Sequence, residues 1–339
     1  MNSLARLNSS YADPEKIKDR IYARIRPDLE RIEAEIDRHL TSSVPLIGVV
    51  GRYIMGSGGK RLRPLLMILS ARLCGYQGHQ DAPLAVVFEY IHAASLLHDD
   101  VVDKAEFRRN NPAANTLWGN PAVVLVGDFL YAKSFLMTIG YNSIEILRVL
   151  SETTTKMAEG EVLQHIHADD LEIDEEDYLE VINRKTAVLI SAACQVGGIF
   201  GGASDVQREA LRLYGHHLGI AFQLTDDALD FTGKLEELGK SIGNDVQEGK
   251  ATLPLIHAMH HCSAEEKDQL RRIFSAEKIL PKDFDWLQQT VLGCGGIDRT
   301  ISLAMDHVQR AKDVLDAFAD SPTREVLLDI ADYVIHRRI

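Results

Sequence analysis

The sequence has few of the residues that build a disulfide framework or a zinc site. It holds four cysteines in 339 residues, at positions 74, 194, 262 and 294, and no two of them stand at metal-ligand spacing. Scattered single cysteines are typical of proteins from a reducing compartment, where thiols stay free. This pattern excludes a disulfide scaffold and predicts a cytoplasmic protein.

Basic charge and long apolar runs are also scarce. The chain has 37 Lys and Arg against 50 Asp and Glu, a net charge of −13, which disfavours general binding to nucleic acid or to an anionic membrane. The first twenty residues lack the apolar run of a secretory signal. No uninterrupted apolar stretch reaches the roughly 18 residues of a membrane span. We therefore expect at most transient contact with a membrane.

Strand patterns are rare, and helical periodicity dominates the chain. Residues 17–40 repeat apolar positions every three or four residues, and Pro27 is expected to break or bend this helix. The ten prolines fall mostly between segments, and no Ser/Gly-rich linker divides the chain. We predict one all-α domain over residues 1–339, built from ten or more helices packed as a large bundle, with a less ordered arm at residues 1–20.

The chain does have a repeated acidic motif. DDVVD at 99–103 and DDALD at 226–230 each follow an apolar run. On a helix, positions i and i+4 share a face, so Asp99 lies beside Asp103, and Asp226 beside Asp230. A single motif of this kind is as readily a solvated helix end, but two copies beside apolar segments favour a bound cation. A site whose ligands are all oxygen atoms favours Mg²⁺. This ion fills its remaining coordination positions with water and phosphate oxygens.

Basic residues recur beside a glycine-rich turn and near both acidic motifs. Any one of them is more often a solvated surface group, but arginine forks and lysine ammonium groups suit phosphate oxygens. Taken together they predict two anion sites, one bridged by metal and one bound by basic side chains alone. The residues concerned are Lys60, Arg61, Arg63, Arg108, Arg109, Lys185, Lys240 and Lys250.

In this order, the motifs resemble those of the trans-polyprenyl diphosphate synthases, most like the bacterial long-chain, octaprenyl type. The resemblance runs from roughly residue 20 to the C-terminus. It rests on GGKRLRP, HDDVVDKAEFRR, GDFLY, MAEGEVLQ, RKTA, FQLTDDALDF and LGKSIGNDVQEGKATLP. It implies an all-α fold of the isoprenoid synthase type with a deep central cavity. It also implies that the protein forms a homodimer. One departure is Asn110, Asn111 and Pro112, since family members often have glycine after the paired arginines.

The resemblance also implies a set of site residues and a cofactor. Three Mg²⁺ ions are expected, two or more of them bridging the allylic diphosphate. Their ligands would be Asp99, Asp100, Asp103, Asp226, Asp227 and Asp230. The allylic diphosphate would contact Arg108, Lys185, Lys240 and Lys250, and the isopentenyl diphosphate would contact Lys60, Arg63, His92 and Arg109. The catalytic residues would be Lys185, Lys240, Thr186 and Gln223.

The implied reaction is a Mg²⁺-dependent, head-to-tail condensation. Isopentenyl diphosphate joins farnesyl or geranylgeranyl diphosphate, giving a long-chain all-trans polyprenyl diphosphate and diphosphate, a precursor of quinone side chains. In this family, bulky aromatics just before the first acidic motif stop the product early, whereas Ala94 and Ser95 here are small. Small residues also let helices pack closely, so these positions have a second interpretation. Met137 is a candidate for a lower floor of the cavity.

Three other functions remain open at this point. A short- or medium-chain synthase would make geranylgeranyl or farnesyl diphosphate with the same residues. A terpene cyclase shares the ionisation chemistry, but DDALD disfavours it, because cyclases usually carry an Asn/Ser/Glu metal motif there. A non-catalytic partner subunit typically loses the acidic motifs, and this chain keeps both.

Overall fold

The computed structural model describes residues 14–108, 111–232, 243–276 and 278–336. In chain order, its first helices are α1 (Pro14–His39), α2 (Pro45–Gly56), α3 (Leu62–Leu73), α4 (Asp81–Val102), α5 (Ala114–Trp118), α6 (Asn120–Ile139), α7 (Ile144–Ile166) and α8 (Glu175–Ile182). A π-helical turn (Asn183–Ala187) follows, and then α9 (Val188–Phe200), α10 (Asp205–Thr232), α11 (Asn244–Gln247), α12 (Leu253–His261), α13 (Ala264–Phe274), α14 (Pro281–Gly293), α15 (Gly296–Val314), a 3₁₀ turn (Leu315–Ala317) and α16 (Pro322–Ile335). The predicted all-α fold is confirmed.

Strand structure in the described residues amounts to one short hairpin. β1 (Phe107–Arg108) pairs antiparallel with β2 (Asn111–Pro112), in the register Phe107 to Pro112 and Arg108 to Asn111. Tyr53 on α2 donates its hydroxyl proton to the carbonyl oxygen of Pro112 at 2.7 Å. The hairpin that follows the first acidic motif is therefore tied to the helix bundle.

Helix α1 continues through Pro27, so the expected break in the helix is absent. Its apolar stripe is buried both before and after the proline, and it consists of Ile17, Ile21, Ile25, Ile32 and Ile36. Burial of that stripe on both sides outweighs the one backbone hydrogen bond that a proline removes. Residues 14–20 of the predicted N-terminal arm form the start of this helix, and residues 1–13 lie outside the described residues.

Two long helices, α4 and α10, form the opposing walls that position the site. Helix α4 is buried along most of its length and packs against α3 and α6, with Phe88, Tyr90 and Ile91 fully enclosed. Helix α10 packs against α9 and α15, and its Tyr214 and Leu218 are also fully enclosed. Each wall carries an acidic motif near its C-terminal end, so the core aligns the two motifs.

Helix α6 is the one described helix that is long and apolar enough to cross a membrane, judged by length and composition alone. Asp128 and Lys133 interrupt its apolar residues, in agreement with the absence of an uninterrupted run. Leu125, Leu136 and Ile139 are exposed on it. An exposed apolar face on a helix of this kind marks a surface that can contact another molecule.

Candidate active site

A cavity of about 1,620 Å³ lies between α4 and α10. Both acidic motifs line it, with Asp99, Asp100, Asp103, Asp226, Asp227 and Asp230. Most of the predicted basic residues line the same cavity, namely Lys60, Arg61, Arg63, Arg108, Lys185 and Lys250, together with His92, Thr186 and Gln223. Apolar side chains complete the lining, among them Leu96, Met157, Leu189, Ile190 and Phe222. The fold thus gathers charged and apolar surface in one space.

The first acidic motif ends α4, and its carboxylates contact cationic side chains. Asp99 is largely buried, and the Lys185 ammonium lies 3.9 Å from its Oδ2. Burial raises the pKa of Asp99 to about 6, although Lys185 acts in the opposite direction. Asp100 is fully buried, and Arg108 donates to its Oδ1 from Nε at 2.8 Å and from Nη2 at 2.7 Å. The positive charges of Lys185 and Arg108 therefore stabilise carboxylates that burial has removed from water.

Two lysines from distant segments bridge the first motif to other acids. Lys185 donates to Glu161 Oε2 on α7 at 2.7 Å. Lys250 donates to Asp103 Oδ2 at 2.9 Å and to Glu248 Oε2 at 2.7 Å. Burial lowers the pKa of Lys250, but Glu248 and Asp103 outweigh it, so the pKa is raised above its ordinary value. Lys250 is thus charged at neutral pH, and both lysines stand beside the oxygens where a diphosphate would bring further negative charge.

The second acidic motif ends the described part of α10, and the second of its three aspartates contacts neutral donors. Asp227 is fully buried, with the Tyr178 hydroxyl on Oδ2 and Gln223 Nε2 on Oδ1 at 2.8 Å. Burial, followed by the nearby Asp245 carboxylate, raises the pKa of Asp227 well above its ordinary value. The backbone N–H of Asp245 donates to Asp230 Oδ2 at 3.3 Å. This wall is therefore shaped by hydrogen bonds to a buried carboxyl group.

A π-helical turn presents Lys185 and Thr186 to the cavity. The turn (Asn183–Ala187) is packed between two glycines, since a Cβ on Gly160 would lie 2.8 Å from Lys185 N and one on Gly219 would lie 2.6 Å from Ala187 Cα. Turns of this type are frequent at functional sites. Thr186 donates its hydroxyl proton to Gln223 Oε1 at 3.0 Å, which joins the turn to α10.

The predicted isopentenyl pocket is described only in part. Lys60, Arg63 and His92 line the cavity, and the Lys60 ammonium lies 5.5 Å from the centre of the Tyr333 ring, a cation–π contact. Arg61 also lines the cavity and forms ion pairs with Glu33 at 2.7 Å and Glu89 at 2.8 Å, a structural use of the second basic residue in GGKRLRP. Arg109 and Lys240 lie outside the described residues.

The three residues predicted to set product length occupy different environments. Ser95 lies one helical turn before Asp99, about 6 Å along α4, and lines the cavity. Ala94 is fully buried in the core beside it. Met137 on α6 is partly buried and packs against the same core. Contact with the cavity supports Ser95 more directly than Ala94 or Met137.

The carboxylates of both walls suit a hard divalent cation. All donors are oxygen atoms, and Asp100 Oδ2 is buried without a hydrogen-bond partner. In the described parts of the chain, no three His, Cys, Asp or Glu side chains converge closely enough to hold an ion by themselves. Mg²⁺ fits that arrangement, because it takes one or two carboxylates and completes its shell with water and phosphate oxygens. The residues that would hold it are Asp99, Asp100, Asp103, Asp226, Asp227 and Asp230.

Comparison with known proteins decides the family. The sequence model of the polyprenyl synthetase family matches residues 44–291. The chain is 41% identical over 313 residues to the octaprenyl diphosphate synthase of Escherichia coli (strain K12), which covers 91% of this chain and 96% of that protein. The chain belongs to the polyprenyl synthetase family. It is a trans-prenyltransferase, as the sequence predicted, and the predicted synthesis of polyprenyl diphosphates is confirmed.

Two further relatives extend this result. The geranylgeranyl diphosphate synthase of Methanosarcina mazei is 38% identical over 312 residues, covering 90% of this chain and 94% of that protein. A polyprenyl synthase from Caulobacter crescentus CB15, solved in complex with calcium and isoprenyl diphosphate, superposes with a TM-score of 0.90 at 40% identity, covering 95% of this chain and 98% of that one. Members of this family use Mg²⁺ and act on prenyl diphosphates.

Three residues of the cavity were missed as site residues by reasoning from the sequence. Glu161 contacts Lys185, Glu248 contacts Lys250, and Tyr178 contacts Asp227. Glu161 lies in MAEGEVLQ, one of the motifs that carried the family resemblance, so that motif could have pointed to it. Glu248 likewise lies in LGKSIGNDVQEGKATLP, two residues before Lys250, so that motif could have pointed to it. Tyr178 had no signal of its own, because its partner Asp227 is distant in sequence.

Proposed function

We propose that this chain extends an allylic diphosphate, farnesyl or geranylgeranyl diphosphate, with isopentenyl diphosphate until a long-chain product is reached. The observation that carries the proposal is that two acidic walls, basic side chains and apolar lining share one cavity of about 1,620 Å³. The charged part suits two diphosphates, and the apolar part suits a hydrocarbon chain.

Cleavage of the allylic C–O bond leaves a carbocation and a diphosphate that gains negative charge. Lys185 and Lys240, with Arg108 and Lys250, stabilise that charge as it develops. Bound Mg²⁺, for which we propose three ions, supplies further positive charge to the diphosphate oxygens. Ordering of these groups before the reaction lowers the barrier, because they need not reorganise during bond cleavage.

Three sets of residues act on the hydrocarbon parts of the substrates. Lys60, Arg63, His92 and Arg109 hold the isopentenyl diphosphate so that its double bond faces the cation. Thr186 and Gln223 line the cavity, and their oxygen atoms steady positive charge. Apolar lining residues such as Leu189 and Phe222 exclude the water that would otherwise quench the cation. The proton lost at the end passes to the released diphosphate.

The small side chain of Ser95 supports a long product. It lines the cavity one turn before Asp99, where a bulky residue would close the path of a growing chain along α4. The E. coli relative is an octaprenyl synthase and the M. mazei relative is a geranylgeranyl synthase. Family membership therefore leaves two product classes, and Ser95 favours the longer one. Such a product is suited to serve as a quinone side-chain precursor.

We propose that the active form is a cytoplasmic homodimer. Exposed Leu125, Leu136 and Ile139 on α6 form an apolar surface that a second copy would cover. The net charge of −13 disfavours lasting attachment to an anionic membrane, which leaves transient contact for product release.

The deciding experiment sizes the product of the purified chain. The protein is incubated with Mg²⁺, radiolabelled isopentenyl diphosphate and farnesyl diphosphate, and the dephosphorylated products are separated by chromatography. Products well beyond geranylgeraniol are expected. Arrest at farnesol or geranylgeraniol would establish the short-chain alternative. Absence of incorporation with every allylic primer would favour a non-catalytic partner subunit.

A further inference from the structure

A buried tyrosine outside the acidic and basic motifs is linked to the reacting end of the cavity. Tyr178 on α8 is 4% exposed, and its hydroxyl contacts Asp227 Oδ2. Gln223 Nε2 donates to Asp227 Oδ1 at 2.8 Å, and Thr186 Oγ1 donates to Gln223 Oε1 at 3.0 Å. The hydrogen bonds thus run without interruption from Tyr178 to the Thr186 hydroxyl.

The chemistry of these groups sets the direction of every hydrogen bond. Asp227 Oδ1 accepts, so the Gln223 amide must turn its NH2 toward Asp227 and its oxygen toward Thr186. Thr186 must then donate its only proton to Gln223. The remaining lone pairs of the Thr186 oxygen are left for the cavity, which Thr186 lines. A hydroxyl oriented in this way presents the partial negative charge of its oxygen to a group bound in the cavity.

The backbone around Thr186 allows little other movement. The π-helical turn is packed between Gly160 and Gly219 at distances that leave no room for a Cβ on either glycine. The main freedom left to Thr186 is rotation of its hydroxyl proton, which the Gln223 oxygen determines. Tyr178 secures the far end of the same series, because a phenol can donate to a carboxylate or accept from a carboxylic acid and so holds Oδ2 in either form.

We propose that Tyr178 is a positioning residue: by holding Asp227 it keeps the Gln223 amide in one orientation, which leaves the Thr186 oxygen as an acceptor for the allylic cation. This inference rests on the proposed function. Without the Tyr178 hydroxyl, Asp227 can rotate and the Gln223 amide can turn over. The amide NH2 would then face Thr186, and the Thr186 proton would point into the cavity, opposing the cation.

The first test compares two buried tyrosines that each donate one hydrogen bond, one inside the proposed series and one outside it. Tyr178→Phe removes the hydroxyl at Asp227, and Tyr214→Phe removes an equally buried hydroxyl, which donates to Leu327 O at 2.7 Å. For Tyr178→Phe, kcat should fall at least about tenfold, a fraction of the loss seen when a direct transition-state donor is removed. KM for isopentenyl diphosphate should stay within about twofold, because that pocket is untouched. Tyr214→Phe should keep kcat. Equal losses in both variants, in proportion to their melting temperatures, would overturn the proposal.

A double-mutant cycle tests whether Tyr178 acts through Thr186. Thr186→Val removes the hydroxyl with little change of shape. If Tyr178 acts only by orienting that hydroxyl, Tyr178→Phe combined with Thr186→Val should be no slower than Thr186→Val alone. Multiplication of the two losses would contradict the proposal. Should Tyr178→Phe fail to fold, Tyr178→Met, which also removes the hydroxyl and leaves Gln223 in place, should take its place in the cycle.

Binding of a charged analogue gives a readout independent of turnover. An allylic diphosphate analogue with an ammonium group at the cationic carbon is compared by calorimetry with its neutral isostere. Tyr178→Phe should weaken the preference for the charged analogue, whereas Tyr214→Phe should retain it. An unchanged preference overturns the role of Tyr178. If the wild type itself makes no prenyl product, the proposed function fails instead, and the two failures are distinguishable.

Discussion

The two walls of the cavity carry the same acidic pattern in different surroundings. On α4, the central aspartate of the motif, Asp100, is bound by the cationic Arg108. On α10, the central aspartate, Asp227, is bound by the neutral donors Tyr178 and Gln223. Both carboxyl groups are fully buried. The difference teaches that one motif is neutralised by charge and the other is oriented by hydrogen bonds.

The walls also differ one helical turn before the acidic motif. Ser95 precedes Asp99 by four residues on α4, and Phe222 precedes Asp226 by four on α10, and all four side chains line the cavity. One wall thus has a small residue at this position and the other has a bulky aromatic. The hydrocarbon chain is therefore expected to run along α4, while α10 supplies a closed wall beside the reacting carbon.

The largest expected effect comes from removing charge on the α4 wall. Asp99→Ala should lower turnover about a thousandfold, because a carboxylate that stabilises the transition state through metal is lost. The initial rate of isopentenyl incorporation measures this, with circular dichroism to monitor the fold. Asp320→Ala, at a side chain that is 96% exposed, is the control and should keep full activity. A near-normal rate for Asp99→Ala would refute the metal role.

The next largest effect should separate the two central aspartates by stability. Asp100→Asn leaves Arg108 without its buried counter-charge and should destabilise the metal-free protein by about 2 kcal/mol, reduced from the usual cost because Arg108 is partly exposed. Asp227→Asn should be neutral or stabilising at pH 8, since the raised pKa means that folding disfavours its charged form. Urea unfolding without metal measures both. Equal destabilisation would remove the distinction between the walls.

A smaller effect, on stability at low pH, is expected from a pair of histidines that lies behind the α10 wall. His217 on α10 and His307 on α15 share a hydrogen bond between their Nδ1 atoms at 3.2 Å, which requires at least one unprotonated ring nitrogen. Burial, aided by neighbouring positive charge, lowers the pKa of each to about 4. In the unfolded chain these histidines protonate near pH 6.5. Their contribution to the free energy of unfolding is therefore present above pH 6.5 and is lost as the pH falls toward 4, by about 2 kcal/mol after allowance for solvent screening.

Thermal unfolding of the wild type and His307→Gln between pH 7 and pH 4 measures this contribution. The variant should lose less stability over that range than the wild type. His260→Gln, at an exposed histidine, should behave as the wild type does. Parallel curves for all three proteins would show that the histidine pair does not couple stability to pH.

The smallest effect on rate, but a visible one on the product, is expected at Ser95. Ser95→Phe should shorten the product while isopentenyl incorporation stays within about tenfold of the wild type, because the acidic motif is intact. Chromatographic sizing of the dephosphorylated products measures the change. Ala94→Phe was expected from the sequence to act in the same way, but its fully buried position predicts overpacking, with a loss of stability of about 1–3 kcal/mol. An unchanged product with Ser95→Phe would place the length limit elsewhere.

Much of the site could be predicted because its residues occur in short motifs. The pairs Asp99 with Asp103 and Asp226 with Asp230 follow from a helical repeat of 3.6 residues, which is a local property. Lys185 and Thr186 in RKTA, and Gln223 in FQLTDD, were predicted from their neighbours in sequence. Tyr178 could not be predicted in this way, because its partner Asp227 is 49 residues away. For the same reason the expected break at Pro27 was wrong, since the burial that keeps α1 continuous comes from the rest of the bundle.

By itself, the sequence determined the all-α class, the two acidic faces and the family, because helical periodicity and motif spacing depend on residues close together in the chain. Only the tertiary structure decided that Asp100 meets Arg108 while Asp227 meets Tyr178 and Gln223, and that Ser95 lines the cavity while Ala94 is buried in the core. The physical reason is that burial, and the partner that a buried polar group then requires, is set by side chains from other helices.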